Sequence, residues 1–197
     1  MSFFEKQAVI YKDGDGERLR GTQVEHVIIS EGLRELPDFA FESCHNLLTC
    51  VFPSSLERFG VGCFKSCSKL ESLNICHTNT HLIESFAFQG CHALAVVRFP
   101  KELRHLHQYA FAGCQGLPAI NIPPGVRLSP FTFFGCSSLQ SIEFPDELVA
   151  MPHDVFNGCS SLVTVHIPGT SLREIGANAF ANCTGLRHVV IAEVRTQ

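Results

Sequence analysis

The sequence lacks tryptophan, has two tyrosines and carries few charges. Charged residues make up 17% of its 197 positions, and the formal net charge is −4. No acidic or basic block stands out, so the chain lacks the concentrated positive charge with which proteins hold phosphate backbones. We therefore expect no nucleic-acid partner.

Long hydrophobic runs are also missing. The longest uninterrupted apolar run is residues 93–97, whereas a membrane-spanning helix needs roughly 20 apolar residues. Near the start of the chain, Glu5 and Lys6 interrupt the sequence before a secretory apolar region of about 7–15 residues can form. We expect no membrane insertion, no export signal and a cytoplasmic location, with the cell surface as the alternative.

Phenylalanine and cysteine are abundant instead, with 17 and 10 copies, and both follow a repeat. Seven cysteines recur at intervals of 22 to 24 residues; each has Phe three positions before it and Leu three positions after it. A fixed period of this length is typical of stacked repeat proteins. The seven cysteines are Cys44, Cys67, Cys91, Cys114, Cys136, Cys159 and Cys183.

Each repeat also contains the pattern of a short strand. Three and five residues beyond each repeat Leu come two apolar residues, as at Val97 and Phe99, and this alternation predicts a strand with one buried face. Proline follows most of these strands and ends ladder pairing. A further apolar residue, such as Leu106, lies five positions before each Phe and marks the opposite wall. One repeat is therefore predicted to form one turn around a core.

The segments 110–114 and 175–183, joined to strands that end in Ile-Pro or Phe-Pro, resemble BspA-like (Treponema pallidum type) leucine-rich repeats over residues 24–191. The predicted fold class is α/β but β-rich: a right-handed leucine-rich-repeat solenoid of seven coils of about 23 residues, with a parallel sheet on the concave face and short turns or single helical turns opposite. Residues 1–23 are predicted to be an N-terminal cap and residues 24–197 the solenoid. The sequence departs from the family pattern at Cys63, at Cys76 and in the 22-residue fifth unit.

The resemblance implies a non-enzymatic module for protein–protein interaction. The first interpretation is an intracellular scaffold or assembly subunit. The alternative is an adhesin-type protein of the cell surface that binds an extracellular protein ligand, because the family is known for surface adhesion as well as for intracellular expansions in microbial eukaryotes.

The residues by themselves favour no catalytic, cofactor or metal site. The repeat scatters histidines and carboxylates singly, and no phosphate-loop, dinucleotide or H-E-x-x-H motif is present. The repeat cysteines are locked to core positions and are expected to be buried, reduced thiols. Cys114→Ser is expected to destabilise the fold, because a hydroxyl there would have no partner. His77 and His81, near Cys76, lack the spacing of a zinc site.

Two rows of side chains are candidate partner-binding surfaces. The first points outward from the strands, and its middle is polar: Asn74, Arg98, Asn121, Glu143 and His166. The alternative interpretation is an ordinary solvated strand face, since any one-sided sheet shows one.

The second row lies two residues before each repeat Phe, and in four of the first five coils it is aromatic. Its candidate binding residues are Phe86, Tyr109 and Phe131, although these rings could simply cover the edge of the core. A further candidate is the last strand, around Val190, as an edge on which another chain docks.

Overall fold

A computed structural model describes residues 8–167 and 171–191. Within those ranges the chain forms sixteen short strands joined by turns, with no helix. The strands form two walls. The main wall contains β1 (Val9–Tyr11), β2 (His26–Ile29), β4 (Thr49–Val51), β6 (Ser72–Asn74), β8 (Val96–Arg98), β10 (Ala119–Asn121), β12 (Ser141–Glu143), β14 (Thr164–Ile167) and β16 (His188–Ile191). The second wall contains β3 (Glu35–Leu36), β5 (Arg58–Phe59), β7 (Leu82–Ile83), β9 (His105–Leu106), β11 (Arg127–Leu128), β13 (Ala150–Met151) and β15 (Glu174–Ile175).

All strand pairings are parallel and join one coil to the next, which confirms the predicted β-rich solenoid. We number coils 1 to 7 after the seven repeat phenylalanines, from Phe41 to Phe180. The main wall is hydrogen-bonded in three sections, β1-β2-β4, β6-β8 and β10-β12-β14-β16. The second wall runs without interruption from β3 through β11 and breaks before the pair β13-β15. The sequence predicted the apolar residues of this second wall, but not that they form parallel strands.

The core is a stack of equivalent side chains, one layer per coil. Phe64 and Phe88 have ring centroids 5.3 Å apart and an interplanar angle of 5°, and Phe88 and Phe111 repeat this at 5.2 Å. The repeat cysteines and leucines lie in the same buried cluster. Successive coils thus bury each other's apolar residues, which a single 23-residue coil cannot do alone.

The residue before each repeat Cys has a left-handed backbone conformation, and this explains why it is small or polar. The seven φ angles lie between 56° and 83°. In this conformation the N–H points along the solenoid axis; Gly113, for example, donates to Phe134 O on the next coil at 2.7 Å. Left-handed backbone is accessible to Gly and tolerated by Asn. The residues are Ser43, Ser66, Gly90, Gly113, Gly135, Gly158 and Asn182.

Residues 8–23, the described part of the predicted cap, extend the main wall by one strand. β1 pairs in parallel with β2, and the Tyr11 ring packs on Phe41 with centroids 4.8 Å apart. Farther along, Arg20 forms an ion pair with Glu42 of coil 1. The first layer of the core is therefore covered by Tyr11 in place of a repeat Phe.

Candidate functional site

The five polar candidates on the main wall are all exposed, as predicted from strand alternation. Strand register places Asn74 beside Arg98 and Glu143 between Asn121 and His166. Asn121 Nδ2 donates to Glu143 Oε2 at 2.7 Å, so these two side chains partly satisfy each other. Within the described ranges, Arg98 has no ion-pair partner and its guanidinium is available to a ligand.

On β1, β2 and β4, the first three strands of the main wall, the same outward face carries a row of aligned apolar residues. Register aligns Ile10 with Ile28 and Ile28 with Val51. Ile10 is 61% exposed and Val51 is 56% exposed. Ile10 was not among the predicted surface residues, because residues 1–23 lie outside the repeat and only the pairing of β1 with β2 puts Ile10 in this row.

The aromatic row forms a second, outer stack. The Phe86 and Tyr109 rings lie 5.2 Å apart at 7°, and the Tyr109 and Phe131 rings lie 4.6 Å apart at 5°. All three side chains are half-buried. His153 packs edge-on against Phe131 with centroids 5.1 Å apart and ends the stack. The rings therefore expose mainly their edges, since their faces are covered by one another.

Every member of this row has a left-handed backbone, with φ between 55° and 63°. Left-handed backbone costs an L-residue roughly 1–2 kcal/mol, and Gly, Asp and Asn adopt it most easily. Gly62, Asp154 and Asn178 occupy this position in coils 2, 6 and 7. In coils 3 to 5, the two stacked ring pairs, at about 0.5–1.5 kcal/mol each, offset part of this cost. Bulky residues in an unfavourable conformation are a reason to look for a function.

Asp154 fits its place in the row by hydrogen bonding. Its carboxylate accepts from Asn157 Nδ2 at 2.8 Å and lies 3.0 Å from His153 Nδ1. These contacts, with the Asn157 hydrogen bond as the largest cause, lower the pKa of Asp154 from its ordinary value. Coil 6 therefore presents a stabilised negative charge where coils 3 to 5 present rings.

The repeat cysteines have hydrogen-bond partners that the sequence did not predict. Cys114 Sγ donates to Phe88 O of the preceding coil at 3.3 Å, and Cys136 Sγ donates to Phe111 O at 3.2 Å. The expectation that a hydroxyl at position 114 would have no partner is therefore wrong, because a carbonyl oxygen faces it. Burial raises the pKa of Cys91 and of Cys136 to about 12, which keeps both thiols protonated.

Two histidines of the second wall lie side by side. The His105 and His107 ring centroids are 4.2 Å apart, and His107 Nδ1 is 3.8 Å from Glu84 Oε2. Desolvation is the first cause that lowers the pKa of His105, followed by His107 and Arg127. Among the described residues, no three His, Cys, Asp or Glu side chains are grouped closely enough to hold a metal ion. The same ranges contain no helix long and apolar enough to cross a membrane.

A depression in the surface lies between coils 5 and 6 of the second wall; we call it the coil 5–6 notch. Its volume is about 770 Å³. Its lining combines apolar side chains, small residues and four ionisable groups: Gly125, Val126, Arg127, Leu128, Pro145, Glu147, Leu148, Val149, Ala150, Met151, Pro152, His153, Glu174, Gly176 and Ala177.

The notch lies where two cross-coil hydrogen bonds are absent, and Pro152 accounts for one of them. At the other five junctions of the second wall, the residue after the short strand donates its N–H to the preceding coil at 2.8 to 3.0 Å, as Gly176 does to Met151 O. In coil 6 this residue is Pro152, which has no N–H. Leu128 O therefore lacks its cross-coil bond, and β11 and β13 do not pair. The 22-residue fifth coil was visible in the sequence, and Pro152 was the further signal from which the break could have been predicted.

Comparison with known proteins gives the fold. The leucine-rich repeat protein of Treponema pallidum matches with a TM-score of 0.75 and 24% identity, covering 93% of this chain and 85% of that one. A leucine-rich repeat protein from Bacteroides ovatus matches with a TM-score of 0.45 and 22% identity, covering 83% of this chain and 60% of that one. Among curated proteins, none is significantly similar in sequence.

A family model agrees with the stacked layers described above. The BspA-type leucine-rich repeat region matches in six copies, over residues 19–118 and 81–197. These ranges include all seven Phe-x-x-Cys-x-x-Leu motifs and every strand from β2 to β16. The chain belongs to the family of BspA-type leucine-rich-repeat proteins.

Proposed function

We propose that this solenoid is a non-enzymatic module that binds another protein through side chains from several coils. The observation that carries the proposal is the outer aromatic stack, in which three bulky residues occupy a left-handed position. Leucine-rich-repeat proteins generally bind other proteins, and each coil offers few side chains, so contacts must spread over several coils.

The proposal assigns two groups of anchors. Phe86, Tyr109 and Phe131 provide rigid, half-buried rings of the kind that carries binding energy in protein interfaces. Arg98, unpaired in the described ranges, and Glu143 provide charge on the main wall. Charged contacts tune specificity and association rate more than affinity. Asn74, Asn121 and His166 complete that surface with hydrogen-bonding groups.

The test is quantitative affinity capture with matched variants of the full chain. Charge reversals Arg98→Glu and Glu143→Arg test the main wall, and the pair Phe86→Ala with Phe131→Ala tests the aromatic row. Lys101→Glu is the control, because that side chain is 92% exposed and lies on neither row. A partner retained by wild type and Lys101→Glu but lost with one group of variants supports the proposal. A partner indifferent to both groups contradicts it.

We propose an intracellular scaffold or assembly subunit as the biological setting. In support, all ten cysteines are free and eight of them are buried, an arrangement that suits a reducing compartment. The alternative is an adhesin at the cell surface, where exported chains tend to form disulfides. Counting reactive thiols after denaturing protein isolated from its native cell separates the two: ten favour the intracellular setting, and fewer favour export.

The last described strand is proposed as a further docking edge for another chain. β16 pairs with β14, and Val189, Val190 and Ile191 are 45%, 44% and 55% exposed. Exposed strand edges accept additional strands. Light scattering over a concentration series, with Val190→Lys as the variant, tests this. Association that the variant abolishes supports docking, whereas a strict monomer at all concentrations contradicts self-docking there.

A further inference from the structure

The coil 5–6 notch has two open strand edges in the interior of a solenoid wall. β11 pairs with β9, and β13 pairs with β15, but neither pairs across the notch. Proline is normally confined to strands at the edge of a sheet, so Pro152 makes β13 an edge strand on the side of coil 5. The carbonyl of Leu128 is thereby left as an acceptor, and an N–H from an added chain can satisfy it.

The interior of the notch suits a peptide. Its volume, about 770 Å³, lies within the range of roughly 300–1,000 Å³ typical of ligand clefts. Among the apolar lining residues, Leu128 is half-buried and Val149 is 53% exposed, whereas Val126 and Met151 are buried in the core beneath them. An extended peptide alternates its side chains, so an apolar residue can point inward while the backbone reaches Leu128 O.

The charged residues at the notch favour a partner segment of opposite net charge. Arg127 stands on the coil 5 side, whereas Glu147 and Glu174 belong to the opposite side. None of these three groups forms an ion pair within the described residues. Two carboxylates against one guanidinium leave the site with an excess of negative charge, which a lysine or arginine of the ligand complements.

We propose that the coil 5–6 notch binds an extended segment of a partner protein that carries an apolar residue and a basic residue, with a backbone N–H donated to Leu128 O. This site rests on the proposed protein-binding function. Its lining contains no residue of the two surface rows, and one lining residue, His153, contacts Phe131 of the aromatic row. The partner segment takes the place of the hydrogen bond that Pro152 cannot make.

The experiment selects binders to the full chain from a library of random linear heptapeptides displayed on phage. Selected peptides are then synthesised, and their affinities are measured for wild type and three variants. Pro152→Ser restores the N–H that other coils have, and amide hydrogen exchange at position 152 reports whether the restored bond to Leu128 O forms. Glu174→Lys reverses a charge without closing the break. Pro37→Ser is the control, because Pro37 holds the equivalent position in coil 1, where β3 ends the described sheet.

The expected result is a set of peptides that contain Lys or Arg beside an apolar residue. They bind wild type and Pro37→Ser equally, and bind Pro152→Ser and Glu174→Lys at least tenfold more weakly. Peptides insensitive to both variants, or no selected peptides, would overturn the proposal. Peptides whose affinity falls with Pro152→Ser but is unchanged by Glu174→Lys would overturn the inference that the partner segment carries a basic residue. The residues of the two surface rows are unchanged in these variants, so failure here leaves the proposed function standing. Failure of the main-wall variants likewise leaves the notch proposal standing.

Discussion

Two aromatic stacks run along this solenoid, and they differ in what holds them. The inner stack uses Phe in all seven coils, with ring centroids of neighbouring coils 4.8 to 5.7 Å apart. The outer stack, at Phe86, Tyr109 and Phe131, has nearly the same spacing but spans three coils and has a left-handed backbone. Coil spacing sets the ring distance in both stacks. Burial demands Phe in the inner stack, whereas the outer position, where the rings are half-buried, also accepts Gly, Asp and Asn.

The largest expected effect is on the inner stack. Phe111→Ala should destabilise the protein by about 3–5 kcal/mol, because it empties a fully buried site between two packed layers. Phe180→Ala in coil 7 should cost less, since Phe180 is only half-buried. Denaturant unfolding of both variants checks the order. A Phe111→Ala midpoint equal to wild type would refute the ladder.

The thiols beside the inner stack should tolerate a hydroxyl. Cys114→Ser keeps a side-chain donor opposite Phe88 O, whereas Cys114→Ala leaves that carbonyl with only the Cys91 N–H as its donor. We expect Cys114→Ser to be no less stable than Cys114→Ala, and the two to differ by at most about 1.5 kcal/mol, the net value of a typical hydrogen bond. Thermal unfolding of the two variants side by side provides the measurement. A serine variant much weaker than the alanine variant would mean that the carbonyl is not its acceptor.

The outer stack should yield a much smaller change in stability. Tyr109→Asn loses two stacked ring pairs at about 0.5–1.5 kcal/mol each but relieves a left-handed backbone cost of roughly 1–2 kcal/mol. The net loss of stability should stay below about 2 kcal/mol, while partner capture declines. Unfolding and capture measured on the same preparation test both halves of this expectation. A loss close to that of Phe111→Ala would show that the outer ring is a core residue after all.

The smallest expected effect is on stability at low pH. It concerns Asp154, the outer-row residue of coil 6. The pKa of Asp154 is lowered in the folded state, so its stabilisation is present above the ordinary pKa of an aspartate and is lost as pH falls through the lowered value. Wild type should therefore lose more stability than Asp154→Asn between pH 5 and strongly acidic conditions. Urea unfolding at a series of pH values gives the comparison; parallel curves for the two proteins would rule the contribution out.

Because the same residue pattern recurs in every coil, the fold could be predicted from the pattern of one coil. Phe111, Cys114 and Leu117 recur in register, so their inward direction followed from periodicity, and strand alternation correctly placed Arg98 and Glu143 outside. The sequence also located the aromatic row, but not its left-handed backbone. Nothing within one coil shows that the residue two positions before Phe must turn in this way.

The sequence by itself determined the period, the buried residues and the family of the solenoid, because these depend on which side chains of one coil avoid water. Only the tertiary structure decided which groups meet across coils: the Phe88 carbonyl facing Cys114, Ile10 aligned with Ile28, and Leu128 O left open by Pro152. A hydrogen bond between coils needs a donor on one and an acceptor on the other. Its presence or absence is therefore a property of two neighbours, which the pattern of a single repeat does not contain.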